Sequence, residues 1–291
     1  MLKIGYVTNG FADHSLEQAA EVLHHCGYQG IGVTLGAPHL DPWTASKKRL
    51  AELRACFEKH GLEVAIETGG RYVLDPYRKH RPSLVSVDEK GRNQRVAFYE
   101  KSIDIASALG AKVVSLWSGI PKAQIPTETS WQRLVVGLRT VLDHAEKRGV
   151  KIGFEPEPGM FVENLEGWQI LKERVSHPAL GLTIDVGHLA VTEEAPWHQH
   201  LIEHSGDLVH VHLDDAKDRT HEHLPLGEGE IDWPEILGAL ARIGYGGVAL
   251  VELSRHSHVA PLMAQRSILF LRSVEARARV DHGTDPRGSK R

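Results

Sequence analysis

Short apolar runs alternate along the chain with longer stretches whose apolar residues return every three or four positions. The short runs are KIGYVT (3–8), GIGVTL (30–35), EVAIE (63–67), KVVSLW (112–117), KIGFE (151–155), LGLTID (180–185), LVHVHL (208–213) and GVALVEL (247–253). Their length and β-branched content predict eight buried strands. The stretches between them, among them SLEQAAEVLHHC, SKKRLAELRACFEKHG, RVAFYEKSIDIASALG, WQRLVVGLRTVLDHAEKRG and WPEILGALARIG, are amphipathic. Several end in Gly just past the last turn, where helices commonly close. Strict alternation of strand and helix predicts a parallel sheet, and eight repeats predict its closure into a single-domain α/β fold, a (β/α)8 TIM barrel over residues 1–277. Two segments break the pattern. The polar stretch from Thr68 to Asn93, with Gly69, Gly70, Pro76 and Pro82, is too long for an idle connector and is expected to be a lid or binding loop. Residues 278–291 lack apolar periodicity and are expected to form a disordered C-terminal tail.

In such a barrel, residues at the carboxyl ends of the strands face one another across a single mouth. Glu67 ends the third strand, Trp117 the fourth, Glu155 the fifth and Asp185 the sixth. His212 lies near the end of the seventh and Glu252 near the end of the eighth. Glu155, Asp185, His212 and Glu252 therefore come from four consecutive strands. Three uncompensated carboxylates would repel one another. A divalent cation resolves the conflict, because it accepts carboxylate oxygen and imidazole nitrogen together and leaves positions open for substrate. A carboxylate-rich set favours Mn2+, with Mg2+, Co2+ or Zn2+ as alternatives. Each residue alone also has a plainer explanation. Asp185 could cap the following helix, Glu155 could be a solvated strand end before Pro156, and Glu252 could pair with Arg255. His210 and His212 share one face of their strand; His212 is taken as the ligand because it lies nearer the mouth, with His210 as the alternative.

Composition narrows the partners. With 34 Lys and Arg against 38 Asp and Glu, the net charge of −4 lacks the cationic excess that favours nucleic-acid binding. The two cysteines, Cys26 and Cys56, have no metal-ligand spacing and are expected to be reduced thiols. The N-terminus enters a strand directly and no apolar run approaches the ~18 residues of a membrane span, so a soluble, cytoplasmic protein without membrane partners is expected. Histidine is frequent, at 19, but His24, His25, His144, His198 and His200 read as solvated helix surface. Arg71, Arg78, Lys79 and Arg81 in the long loop could hold a phosphate or carboxylate, or could simply be solvated. Trp117 could wall a sugar face or pack at the rim.

The motifs DVGH (185–188), HLDDAK (212–217) and HLPLGEGEIDW (223–233), with the VEL of the last strand, carry a resemblance that spans nearly the whole chain. The chain resembles the xylose isomerase-like TIM-barrel superfamily, which includes sugar and sugar-phosphate isomerases and epimerases, inosose dehydratases, hydroxypyruvate isomerases and endonuclease IV. The resemblance implies one divalent ion held by Glu155, Asp185, His212 and Glu252, with Glu155 and Glu252 also acting as acid and base. It implies an isomerase or epimerase acting on a sugar, cyclitol or sugar phosphate, by proton transfer through an enediolate. His188 and His223 match polar positions that contact substrate or a further metal, and Glu67, Arg71, Trp117 and Glu157 complete the expected substrate-binding set. Glycines 227 and 229 read as turn residues before a helix that Asp232 could cap. The alternatives are an inosose dehydratase-like lyase, an endonuclease IV-like nuclease and a non-catalytic sugar-binding barrel. Trp117 and Glu67 stand where the nuclease would need histidines, which counts against it. The oligomeric state stays open, a homo-oligomer included.

Overall fold

The computed structural model describes residues 1–37 and 39–283. Its strands are β1 (Lys3–Val7), β2 (Gly30–Thr34), β3 (Glu63–Glu67), β4 (Val113–Leu116), β5 (Lys151–Phe154), β6 (Leu180–Asp185), β7 (Leu208–Leu213), β8 (Asp215–Lys217), β9 (Thr220–Leu224) and β10 (Val248–Val251). All but β8 and β9 close into one parallel barrel in the order β1-β10-β7-β6-β5-β4-β3-β2. The helices are α1 (Leu16–Cys26), α2 (Lys47–Lys59), α3 (Glu89–Leu109), α4 (Thr127–Arg148), α5 (Leu165–Val175), α6 (Val186–Thr192), α7 (Trp197–Glu203), α8 (Trp233–Arg242) and α9 (Ala260–Gly283). This is the single (β/α)8 domain that the hydrophobic pattern predicts, with each barrel strand lying inside its expected run. Among the described residues no helix is long and apolar enough to cross a membrane.

Local signals set the helix ends. Ser15 and Gln18 form a reciprocal capping box at the start of α1. Asp88 accepts hydrogen bonds from the amides of Lys90 (3.3 Å) and Gly91 (2.8 Å), so α3 begins at Glu89, well before the apolar periodicity becomes visible. Gly27, Gly110 and Gly149 close α1, α3 and α4 in left-handed conformations. The hairpin β8–β9 is absent from the hydrophobic pattern because THEHL packs over the rim, with alternating exposed and partly buried positions, rather than into the core. Helix α9 runs through the expected tail boundary near Ala278, and residues 284–291 of that tail lie outside the described residues.

The barrel's inward faces change character along their length. Alternate residues of a strand share a face, so Ala65 precedes Glu67, Val113 precedes Ser115 and Leu250 precedes Glu252 on the faces turned inward. Val7, Ala65, Val113 and Leu250 form an apolar cluster of their own, apart from the larger core between barrel and helices. The polar residues that follow them gather at the carboxyl end. The fold thus floors the mouth with hydrocarbon and lines it with ionisable groups.

The long loop is tied down at its end by one buried cation. Arg95 of α3 donates from Nε to the carbonyl of Pro82 (2.7 Å) and from Nη2 to that of His80 (3.2 Å). Its guanidinium lies 5.1 Å from the Phe98 ring centre, 5.4 Å from that of Tyr99 and 5.0 Å from that of Trp117. Arg95→Met is expected to cost about 2–3 kcal/mol in urea unfolding, as for a lost charged hydrogen-bond donor, and to raise hydrogen exchange first in residues 69–87. Unchanged stability and exchange would remove Arg95 from this role.

Candidate active site

The mouth holds a cavity of about 690 Å³. Strand register brings its ionisable groups level: Asp185 of β6 pairs with His212 of β7, which in turn pairs with Leu250 of β10, two residues before Glu252. His212 Nδ1 stands 3.1 Å from Glu155 Oε1, 3.1 Å from Glu252 Oε2 and 3.9 Å from Asp185 Oδ2. Each of the four residues offers one atom to a group whose members all lie within 4.8 Å of one another. Glu155, Asp185 and His212 are buried, and Glu252 is partly buried.

Asp185 caps the following helix with one oxygen and turns the other inward. Its Oδ1 accepts the amide of His188 (2.8 Å) and caps α6. Its Oδ2 is buried with no hydrogen-bond partner among the described residues, and this is the oxygen that faces His212. Glu252 does not pair with Arg255. Its Oε1 accepts from Asn9 Nδ2 (2.6 Å), while Arg255 donates to the carbonyl of His221 (3.1 Å). Asn9 carries no strand-end signal in the sequence, because it follows β1 in a short 3-10 turn. His210, the alternative to His212, instead donates to Glu67 Oε1 at 2.8 Å.

Burial and mutual charge shift the titration of these groups. Burial, then the charge of Asp214, pushes the Asp185 carboxyl well above its ordinary value. Burial likewise raises Glu252. Burial opposes the charged form of His212, but Glu67, Glu155 and Glu252 outweigh it and raise the imidazole well above its usual range. Glu155 is lowered, because the His212 charge overcomes the penalty of burial. The cluster as it stands sets three acidic side chains around one imidazole nitrogen. An orphaned carboxylate oxygen and a mixed oxygen and nitrogen donor set are what a divalent cation requires, so these residues fit one.

A second group lies beside the first. His188, His221 and His223 converge, with Nε2–Nε2 separations of 3.0 Å from His188 to His221 and 3.0 Å from His221 to His223. Both His221 and His223 come from β9. Asp214 braces His223, its Oδ2 lying 2.5 Å from Nδ1, and Asp214 Oδ1 accepts the amide of Gly187 (3.1 Å). A Cβ at Gly187 would collide with that carboxylate, so the DVGH turn needs its glycine. Asp215 takes four donors: the amides of Ala216, Gly227 and Ile231, and the Trp233 indole. The two acids of HLDDAK thus divide their work, one orienting an imidazole and the other fastening the loop before α8.

The remaining expected residues scatter around the rim. Glu157 lines the cavity, its carboxyl pushed up to about 8 by burial and then by Glu155. Arg71 and Lys79 border the cavity together with Thr68, Gly69 and Gly70, whereas exposed Arg78 pairs with Asp75 at 2.6 Å. Trp117 reaches the cavity but is 4% exposed and packs on Arg95 and His80, so it serves the rim core as well.

A family model described as a xylose isomerase-like TIM barrel matches residues 20–274. Fructoselysine 3-epimerase of Shigella flexneri is 24% identical over 258 residues, covering 87% of this chain and 90% of that one. A D-tagatose 3-epimerase-like protein superposes with a TM-score of 0.81 at 22% identity, over 97% of this chain and 100% of that chain. The IOLI protein, solved with a zinc atom bound, superposes with a TM-score of 0.72 at 23% identity, over 96% and 99% of the two chains. At these identities the structural likenesses speak for the fold.

His80 gives this rim a pH signature. Burial, then the charges of Lys79, Arg95 and Arg71, lowers its imidazole from 6.5 to about 4. Between those values the unfolded chain binds the proton and the folded chain does not, so stability falls as pH drops from 6.5 towards about 4. NMR titration is expected to find His80 neutral down to the lower value, and His80→Gln to flatten that part of the stability profile. An unshifted His80 titration would contradict the burial argument.

Proposed function

This chain belongs to the xylose isomerase-like TIM barrel family, and from that membership and the strand-end donors we propose a divalent-metal-dependent epimerase or isomerase. Its substrate would be a sugar, a cyclitol or a sugar phosphate. The observation that carries the proposal is the convergence of Glu155, Asp185, His212 and Glu252, with Asp185 Oδ2 unpartnered, at a substrate-sized cavity that Glu155, His212 and Glu252 line. Epimerases among the relatives and structural neighbours support the class of reaction. These four residues would hold the cation, Mn2+ first and Mg2+, Co2+ or Zn2+ as alternatives, zinc having a precedent in the IOLI structure. When bound, the cation supplies electrostatic stabilisation of the negative charge that grows on a substrate carbonyl oxygen as the adjacent carbon loses its proton.

The chain's own residues would do the rest. Glu155 and Glu252 enter the site from β5 and β10, separated around the barrel by β6 and β7. A substrate lying between them meets a carboxyl group from each direction, so the ionised one can take the proton beside the carbonyl and the protonated one can deliver its own proton to the other face or to the neighbouring carbon. The route is an enediolate. Asn9 holds Glu252 Oε1 and leaves Oε2 towards the site. The histidines above, His188 and His223, would orient substrate hydroxyls, with Glu67, Trp117 and Glu157 lining the pocket. Arg71, with Lys79, would favour a substrate that carries a phosphate or carboxylate at its far end.

Purified protein is expected to hold about one tightly bound divalent ion per chain in this set, and Asp185→Asn or His212→Ala to lose most of it with the fold intact by circular dichroism. Elemental analysis showing no change in either variant would refute the site. Glu155→Gln and Glu252→Gln are each expected to lower turnover by at least about 10²- to 10⁴-fold. Turnover of ketoses, inososes or their phosphates in deuterated water should place solvent deuterium at the reacting carbon. Full activity in either Gln variant would sink the assignment of the acid–base pair.

A further inference from the structure

One buried carboxylate has no place in the proton transfer just described. Glu67 ends β3, directly across the barrel from β7, and is 5% exposed. Its Oε1 accepts the Nε2 proton of His210 (2.8 Å) and lies at ion-pair distance, 3.3 Å, from Nε2 of His212, a buried nitrogen with no aligned hydrogen-bond partner among the described residues. His212 therefore has a carboxylate on each side. Nε2 faces Glu67, and Nδ1 faces Glu155, Asp185 and Glu252. The space for this reach comes partly from Gly32 of β2, where an added Cβ would lie 3.2 Å from Glu67 Oε1 and press on Leu250. The charge is placed with care: the inward face is apolar below it, at Ala65, and the strand ends immediately above it.

An imidazole that binds a cation must give the lone pair of one nitrogen and keep its proton on the other, and what that second nitrogen touches decides which is which. We infer that Glu67 is the positioning residue of the centre, its charge 3.3 Å from Nε2 of His212 keeping the ring proton on that nitrogen so that Nδ1 is presented to the cation site. His210 has a supporting part. By donating to the same oxygen, it keeps Glu67 aimed across the barrel. Glu67 thus lies beneath the ligand set and acts through His212, without touching the cation. The inference rests on the assignment of His212 as a ligand in the proposed function.

Zinc serves as the probe, because it is diamagnetic and binds imidazole strongly. Zinc affinity is measured by chelator competition in wild type, Glu67→Gln, His210→Gln and Asp185→Asn, each checked for fold by circular dichroism. Glu67→Gln, which keeps the shape and removes the charge, is expected to weaken zinc about 10- to 100-fold. His210→Gln retains an amide donor for Glu67 and should stay near the wild-type affinity. In the zinc-loaded wild type, nitrogen-15 NMR should show His212 protonated at Nε2 and zinc-bound at Nδ1, with the Nε2 proton signal displaced in Glu67→Gln. If Glu67→Gln does not fold, Glu67→Asp, which keeps the charge but withdraws it, takes its place with the same expected displacement. Unaltered affinity together with an unaltered proton signal overturns the role of Glu67 and leaves the metal site standing. Equal losses in Glu67→Gln and His210→Gln also overturn it, because the effect would then run through general packing. Wild type that takes up no zinc, manganese or cobalt overturns the metal site itself, and this inference with it.

Discussion

Three carboxylates drawn together out of water need positive charge among them, and the mouth of this barrel is arranged around that need. Glu155, Asp185 and Glu252 surround one imidazole nitrogen at 3.1–3.9 Å, and burial makes each of their negative charges expensive. The barrel concentrates the problem by register, since Asp185 and His212 are cross-strand partners. It also supplies the means of bearing it. Neighbouring polar groups take up the outward-facing atoms: Asn9 on Glu252, the α6 amide on Asp185, and Ser115 Oγ at 3.4 Å on Glu155. What is left facing inward is a small set of oxygens and one nitrogen.

Much of this was legible in the sequence, because a parallel barrel turns one-dimensional order into spatial order. Strand ends are marked by the loss of apolar alternation, and in this topology all the carboxyl ends share one rim. Glu155, Asp185, His212 and Glu252 could therefore be grouped without knowing any distance. The same logic fails where position depends on a local turn. Asn9 sits in a 3-10 turn, Asp214 lies just past a strand end, and His221 rides on a short hairpin whose polar alternation resembles a solvated loop. The contacts of Glu67 were hidden for another reason: which neighbour a strand-end carboxylate chooses across a barrel depends on side-chain reach and on the gap at Gly32, neither of which periodicity encodes.

The rim has two kinds of part. The strand ends are fixed by the ladder of the barrel and by the apolar cluster beneath them. The hairpin β8–β9 and the loop from Thr68 sit on that base and carry His221, His223, Arg71 and Lys79 to the cavity edge. A buried charged group helps to fasten each of these attached parts, Asp215 for the segment after the hairpin and Arg95 for the long loop. Chemistry common to a family can reside in the base while recognition varies in the attached parts.

The double duty of Asp185 narrows what evolution can do at that position. Serine, threonine and asparagine are good helix caps, but none brings a negative charge to the face turned towards His212. Glutamate keeps the charge but reaches a methylene further, losing the short span that lets one oxygen meet the amide of His188 while the other looks inward. Two demands that separately admit several residues admit one when combined. Mutational freedom at 185 is therefore far smaller than burial alone would suggest, and drift at this strand end would have to change helix and site in the same step.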